Sequence, residues 1–275
     1  GYNLKDNPQE NNIISSKEWY QPLRAYQSSS MEVTMRESAM QRQKTGSWLN
    51  IGSNFNTMTW VLIPVAIAIN IAIGQIVVLL KLPVYLDSIG TVLVAVLCGP
   101  WAGAVTGALS NTIWGLAIDP NALPWWPVAF FIGLVAGLCA NAGLFKSWWK
   151  VVVTGFLVAL TAATVSTPIG VYLFGGITAS GSSFITAYLL QTGQGVLQAV
   201  FSTNFLVEPV DKITTCMLAF AIIQGLSKRF VARFPRPENV ETEGGTSQTQ
   251  LYIAVGVVVL LVLFAAFILR NILGG

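Results

Sequence analysis

Long apolar runs separated by short polar turns constrain the fold of this chain more than any other feature of its sequence. Residues 57–80 and residues 251–269 contain no charged side chain. Each run has about the 20 apolar residues that a helix needs to cross a bilayer. Because backbone hydrogen bonds in lipid must be satisfied within the segment, these runs predict membrane-spanning helices. Their continuity argues against a membrane barrel, whose strands alternate apolar and polar residues.

The composition favours the same class. The chain of 275 residues is 53% hydrophobic and 10% charged, with a mean hydropathy of +0.63. Soluble domains carry about 25% charged residues, so a soluble fold would have too little polar surface to cover its apolar interior. We therefore predict an all-α polytopic membrane protein.

The chain lacks residues and motifs that several functional classes usually require. The chain has no histidine, which is the commonest metal ligand and the commonest general base. It has no phosphate-binding loop of the GxxxxGK[ST] type, so we do not expect it to hydrolyse ATP by itself. Cys98, Cys139 and Cys216 lie within apolar runs and are interpreted as small buried hydrophobes. We expect no metal and no cofactor.

Hydropathy predicts six spans in the core and one after it. The second and third spans are short and meet at a hinge, Cys98-Gly99-Pro100. The last is set off by a polar linker. The predicted spans cover residues 57–80, 87–97, 101–118, 126–144, 151–174, 205–226 and 251–269.

The segment 182–204, between the fifth and sixth spans, has apolar periodicity but is interrupted by glutamines. Gln191, Gln194 and Gln198 follow one another at spacings of three and four, which predicts that they share one helical face. We interpret this segment as an interfacial or re-entrant helix packed on protein. An eighth, poorly hydrophobic span is the alternative.

The positions of lysine and arginine predict the orientation, because short cytoplasmic loops are enriched in both. With the amino terminus in the cytoplasm, the basic groups before the first span, between the fourth and fifth, and after the sixth all lie inside. The predicted regions are a polar cytoplasmic extension (1–56), a membrane core (57–230), a polar linker (231–250) and an additional transmembrane helix (251–275). The basic groups are Arg36, Arg42 and Lys44, then Lys146 and Lys150, then Lys228, Arg229, Arg233 and Arg236.

Polar and aromatic residues converge on the predicted outer side. Aromatic walls with a few well-placed polar groups are typical of small-molecule pockets. Some of these residues have a simpler explanation: Trp125 is also typical of an interfacial belt, and Asp87, Glu208 and Asp211 also suit helix starts. The candidate substrate-binding residues are Tyr85, Asp87, Asn111, Trp114, Trp125, Gln191, Gln194, Glu208, Asp211 and Lys212.

Lys212 is the hardest of these to explain as a structural residue. A cation at a helix start opposes the helix dipole. We therefore expect Lys212 to pair with a carboxylate, either Asp87 or Glu208, or to meet an anionic ligand.

Small residues recur at fourfold spacing in several predicted spans, a pattern that lets helices approach closely in lipid. Most of these faces are interpreted as internal packing. The face formed by Ala68 and Ala72 is the one predicted to dock a partner, because the many small residues of the first span leave few side chains projecting from its surface.

Two stretches resemble a known family. Residues 86–111, LDSIGTVLVAVLCGPWAGAVTGALSN, resemble the second and third helices of substrate-binding S components of energy-coupling factor (ECF) transporters. Residues 208–226, EPVDKITTCMLAFAIIQGL, resemble the last helix of these proteins, which often begins with an acidic residue followed by Asp-Lys. The resemblance covers residues 57–230.

The resemblance implies a six-helix S-component-like core in a prokaryotic plasma membrane. Such a protein is not an enzyme. It captures a vitamin or related micronutrient outside the cell and associates with a membrane scaffold subunit and ATPase subunits. The family often docks the scaffold through an Ala-x-x-x-Ala face, which Ala68 and Ala72 match. Nickel and cobalt members rely on histidine, so an organic substrate is expected here.

The chain also departs from the family pattern, because its members are commonly shorter. The amino-terminal extension and the additional helix are compatible with a second interpretation. In that interpretation the chain is an accessory or structural subunit of a larger membrane complex.

Overall fold

The computed structural model describes residues 51–240, 252, 253 and 256. Within them the chain is helical and contains no strand, which confirms the all-α prediction for this part. The predicted extension up to residue 50, residues 241–251 and nearly all of the predicted last helix lie outside the described residues.

Between residues 51 and 240, eight α-helices follow one another, with short 3-10 helices at Ile51–Asn54, Pro120–Trp125 and Pro237–Val240. The α-helices are α1 (Thr57–Leu79), α2 (Ile89–Cys98), α3 (Pro100–Ala117), α4 (Trp126–Asn141), α5 (Trp148–Phe174), α6 (Ser183–Gln191), α7 (Val196–Gly225) and α8 (Lys228–Val231).

Three helical segments of the described part are long and apolar enough to cross a membrane. They are α1, α5, and the continuous segment Pro120–Asn141, which combines a 3-10 helix with α4. These segments agree with the predicted membrane class. Helix α7 is longer, at 30 residues, but carries three charged side chains in its middle turns.

Local chemistry explains where these helices begin and turn. At the start of α1, the Asn56 side chain accepts a hydrogen bond from the Thr59 backbone N–H at 2.8 Å, and Thr59 Oγ1 accepts one from the Asn56 N–H. This is a capping box. Gly99 joins α2 to α3 with φ of +111°, and Pro100 is the first residue of α3. The predicted hinge is therefore confirmed, and it requires glycine because a Cβ there would lie 1.7 Å from Asn54 Oδ1.

Glycines allow the helices to pack with their backbones in close contact. A Cβ on Gly107 of α3 would lie 2.1 Å from the carbonyl oxygen of Ala129 in α4. A Cβ on Gly90 of α2 would lie 2.2 Å from the carbonyl oxygen of Ala66 in α1. The fourfold glycine spacing thus serves internal packing, as the sequence indicated.

Helix α1 presents its small residues to two sides. Ala66 and Gly74 are buried against the bundle, whereas Ala68 and Ala72 are exposed. The face predicted to dock a partner is therefore uncovered in the described part of the chain.

Helix α2 is the centre of the bundle. All ten of its residues are buried, and it contacts α1, α3, α4 and α7. Protein surrounds the helix, so it does not need the length of a lipid-facing span.

Asn70 in α1 joins three helices through its buried side chain. Its Nδ2 donates to Thr91 Oγ1 and to Ser110 Oγ, both at 2.9 Å, and its Oδ1 accepts from the Gly90 N–H at 2.7 Å. All of these partners are buried, so removing the amide leaves polar groups without water or protein to bind.

We therefore expect Asn70→Ala to lower the free energy of unfolding by about 2 kcal/mol. Denaturation of the purified protein in detergent micelles measures this loss. The control is Asn121→Ala, since Asn121 is exposed and its side chain donates a hydrogen bond to Asp119, an exposed contact two residues away in sequence. Equal effects of the two substitutions would contradict the structural role of Asn70.

Candidate functional site

The charged residues of α7 lie in the middle of that helix. The predicted span began at residue 205, but α7 begins at Val196, so the interpretation of Glu208 and Asp211 as capping residues of a helix start is wrong. The helix extends further because its first turns bury Ala199, Val200, Thr203 and Asn204 against protein. The helix also continues through Pro209. Proline has no backbone N–H to donate, and neighbouring groups in a helix bundle can satisfy the carbonyl that is left without this bond.

The glutamines of the 182–204 segment do not share one helical face, contrary to the prediction. Helix α6 ends at Gln191, and the turn that follows contains Gly193 with φ of +90°. Gln191 and Gln198 are exposed and Gln194 is half-buried, on separate elements. The prediction was wrong because it continued one helix through all three glutamines, whereas the turn at Gly193 separates them.

Asp211, Lys212 and Glu208 form a buried charged cluster, which we call the α7 triad. Each of these residues is at most 3% exposed. Lys212 Nζ directly contacts Asp211 Oδ2 and lies 3.5 Å from Glu208 Oε2. The predicted pairing of Lys212 with Glu208 is present, and Asp211 is the closer partner. Adjacent residues on a helix normally point apart, so this pair could not be predicted from residue spacing.

Asp211 also anchors the loop that joins α1 to α2. Its Oδ1 accepts hydrogen bonds from the backbone N–H groups of Tyr85 at 2.7 Å and Leu86 at 2.8 Å. Leu86 has φ of +51°, a conformation that costs energy for a branched side chain. With both oxygens engaged, Asp211 holds this loop and Lys212 in place and does not face the cavity described next.

A cavity of about 150 Å³ lies at one end of the bundle, and two members of the α7 triad, Glu208 and Lys212, line it. It is as large as an engineered cavity that holds benzene in another protein. Seven predicted site residues line it, namely Tyr85, Asp87, Asn111, Trp114, Trp125, Glu208 and Lys212. Gln191, Gln194 and Asp211 are not among its lining residues.

Aromatic side chains form one wall of the cavity. Trp125 stacks on Phe174 with ring centroids 5.3 Å apart, and its carbonyl accepts a hydrogen bond from Asn111 Nδ2 at 3.0 Å. Trp114 donates its indole N–H to Gln75 Oε1 at 3.1 Å. Trp125 is thus part of the cavity wall, whereas its neighbour Trp126 is 48% exposed and does not line the cavity.

Hydroxyl and amide groups of α5, α6 and α7 also line the cavity and were not among the candidate substrate-binding residues. Thr186 Oγ1 donates to Thr203 Oγ1 at 2.9 Å, and Asn204 Nδ2 donates to Ser166 Oγ at 3.0 Å. Nothing in their sequence pattern distinguishes them from serine and threonine that pack within a helix bundle. The polar run 178–183, which contains the loop serines, was the one available signal.

Two loops cover the cavity and are joined by polar contacts. Lys81 Nζ donates to the Ala179 carbonyl at 2.8 Å, and the hydroxyl groups of Tyr85 and Ser182 lie 3.0 Å apart. Ser182 Oγ in turn lies 2.7 Å from Ser180 Oγ. The two loops also pack closely, because a Cβ on Gly181 would lie 2.1 Å from the carbonyl oxygen of Lys81.

Asp87 lies at the cavity, just before α2, and makes no capping bond to that helix. Its Oδ1 accepts a hydrogen bond from Ser88 Oγ at 2.8 Å. Burial raises the pKa of the Asp87 carboxyl above its ordinary value, and the nearby Lys212 ammonium partly opposes this rise. A second positive charge at this position would favour the ionised carboxylate.

Comparison with protein-family models, curated proteins and solved structures finds no match for this chain. The resemblance to S components therefore depends on the sequence motifs given above.

Proposed function

We propose that this protein is the substrate-capture subunit of an ECF-type importer for a vitamin or related organic micronutrient. The observation that carries this proposal is the cavity. It combines an aromatic wall, hydroxyl and amide groups and a buried charged cluster under two loops, which is the usual make-up of a small-molecule site.

The arrangement of the helices supports an outward-facing cavity. The lining residues come from the start of α4, the end of α5 and the first half of α7. Lys146 and Lys150 follow the end of α4, and Lys228 follows the end of α7. Since basic loops face the cytoplasm, the opposite end of the bundle, with the cavity, faces outward in this proposal.

We propose six core spans, formed by α1 to α5 and α7, with α6 as a short helix beside the cavity. The additional helix predicted at 251–275 would be a seventh span. The chain supplies no nucleotide-binding loop, so ATPase subunits would provide the energy. The exposed Ala68 and Ala72 on α1 are the proposed contact for the scaffold subunit.

Trp125→Ala tests the cavity as the binding site. We expect wild-type protein to bind a member of a vitamin panel with sub-micromolar affinity, and the substitution to weaken this binding about tenfold or more, because a buried aromatic anchor is lost. Isothermal titration calorimetry measures both. Trp126→Ala is the matched control, since that side chain lies outside the lining.

Co-purification from the native membrane tests the assembly. Recovery of a scaffold subunit and ATPases with the tagged protein is expected. A complex of another kind, together with no binding across the vitamin panel, would contradict the importer and favour an accessory subunit.

A further inference from the structure

The charges around the cavity are unbalanced. Among the described residues, Asp87, Asp119 and Glu208 line the cavity with carboxyl groups, and Lys212 is the one lining residue with a basic side chain. Lys81, on the covering loop, is exposed, is not part of the lining and donates to a backbone carbonyl. The cavity thus has an excess of negative groups.

The positive charge of Lys212 is already engaged. Its ammonium contacts Asp211, lies 3.5 Å from Glu208 and sits 5.4 Å from the centre of the Tyr85 ring. An anionic ligand would have to compete with Asp211 for this ammonium while facing three carboxyl groups. The sequence-based alternative of an anionic ligand at Lys212 is therefore disfavoured.

Glu208 has a buried oxygen with room for a closer donor. Its Oε2 accepts no hydrogen bond from the described residues and belongs to a side chain that lines the cavity. Its ion-pair partner, the Lys212 ammonium, lies 3.5 Å away and contacts Asp211 more closely. Asp87 receives its side-chain hydrogen bond from a neutral hydroxyl, that of Ser88. Asp87 and Glu208 line the same cavity, so their carboxylates repel each other when both are ionised. Buried acceptors of this kind are normally matched by a donor, and buried charges by an opposite charge.

We propose that the ligand of this cavity is an organic cation. Its positively charged nitrogen lies between Asp87 and Glu208, and its ring or hydrocarbon part contacts Trp114 and Trp125. This inference rests on the proposed capture function and specifies the substrate class of the same site. The aromatic wall fits this chemistry, because indole faces attract cations as well as apolar groups.

The geometry favours an organic cation over a metal ion. No group of three or more His, Cys, Asp or Glu side chains in the described part of the chain could hold a metal ion. The volume of about 150 Å³ also exceeds the space that one ion needs and suits a molecule the size of an aromatic ring.

A charge series on one small ring tests the proposal with wild-type protein. Benzylammonium, benzyl alcohol and benzoate have similar shapes and carry positive, zero and negative charge. We expect benzylammonium to bind at least about tenfold more tightly than benzyl alcohol, because a charge-assisted hydrogen bond is gained. Benzoate should bind most weakly. Ligand-observed NMR in detergent measures the affinities, with ammonium chloride as the control for ionic strength.

Glu208→Gln tests whether the Glu208 carboxylate is the group that makes the cavity prefer benzylammonium to benzyl alcohol. The substitution should weaken benzylammonium binding about tenfold and weaken benzyl alcohol binding much less, because a neutral hydroxyl loses no charge-assisted hydrogen bond. The matched control is Glu238→Gln, because Glu238 is half-exposed and lies outside the lining. If Glu208→Gln does not fold, Asp87→Asn takes its place, and the wild-type series remains decisive.

The outcomes separate this inference from the proposed function. Equal or tighter binding of benzyl alcohol or benzoate, or an unchanged preference in the folded Glu208→Gln variant, overturns the cation inference. Should none of the three ring probes bind, the vitamin panel decides: tight binding of a cation supports the inference, and tight binding of a neutral or anionic vitamin overturns it while leaving the capture function intact. No binding by the ring probes or the panel overturns both.

Discussion

Asp211→Ala is expected to destabilise the protein more than any substitution of a residue that lines the cavity. The substitution removes the closest partner of Lys212, and it removes Oδ1, the one side-chain acceptor that the Tyr85 and Leu86 N–H groups share. A buried charge that loses its partner costs about 3–5 kcal/mol. Because the same carboxylate holds the covering loop, ligand affinity should also fall by about tenfold or more.

Thermal denaturation in detergent, followed by circular dichroism, measures the loss of stability from Asp211→Ala. We expect the midpoint to fall by roughly 10 °C. Asp119→Asn is the control: Asp119 also lines the cavity but is only half-buried, and its Oδ1 acceptor is retained in asparagine. If Asp211→Ala melts at the same temperature as wild type, the α7 triad does not stabilise the fold.

Sequence patterns predicted those features that depend on neighbouring residues or on helix ends. The hinge at Gly99 was predicted because glycine is common just after the end of a helix and proline is common at the first position of the next. Glycine also tolerates the positive φ that this hinge adopts. Tyr85, Asp87 and Trp125 were predicted together because alternate helix connections lie at the same end of a helical bundle. The chemistry of residues close in sequence was sufficient for these predictions.

The features that sequence missed depend on tertiary contacts. Asp211 bonds the backbone of a loop 126 residues away, and backbone donors have no sequence signature. The predicted glutamine face failed because one glycine, Gly193, ends a helix that hydropathy alone continues. Hydropathy also placed the start of α7 too late, because the polar residues in its first turns are buried against other polar groups.

Gly107→Val is expected to prevent or severely impair folding. The α3 backbone at Gly107 lies against the carbonyl of Ala129, and the added Cβ would approach that oxygen to 2.1 Å. Overpacking a core side chain costs about 1–3 kcal/mol, and more where the opposing atom is backbone and cannot change rotamer. We therefore expect a loss of about 3 kcal/mol or more and a sharp fall in the yield of monodisperse protein.

Gly225→Val separates this steric effect from the general cost of a β-branched residue in a helix. Gly225 is the exposed last residue of α7, and nothing lies within 4 Å of the Cβ position. Its substitution should change the melting temperature little, because only backbone and side-chain propensities change. Size-exclusion chromatography and thermal denaturation compare the two variants. If both behave like wild type, α3 and α4 do not pack with their backbones in contact, and the cavity wall that they form together would have a different shape.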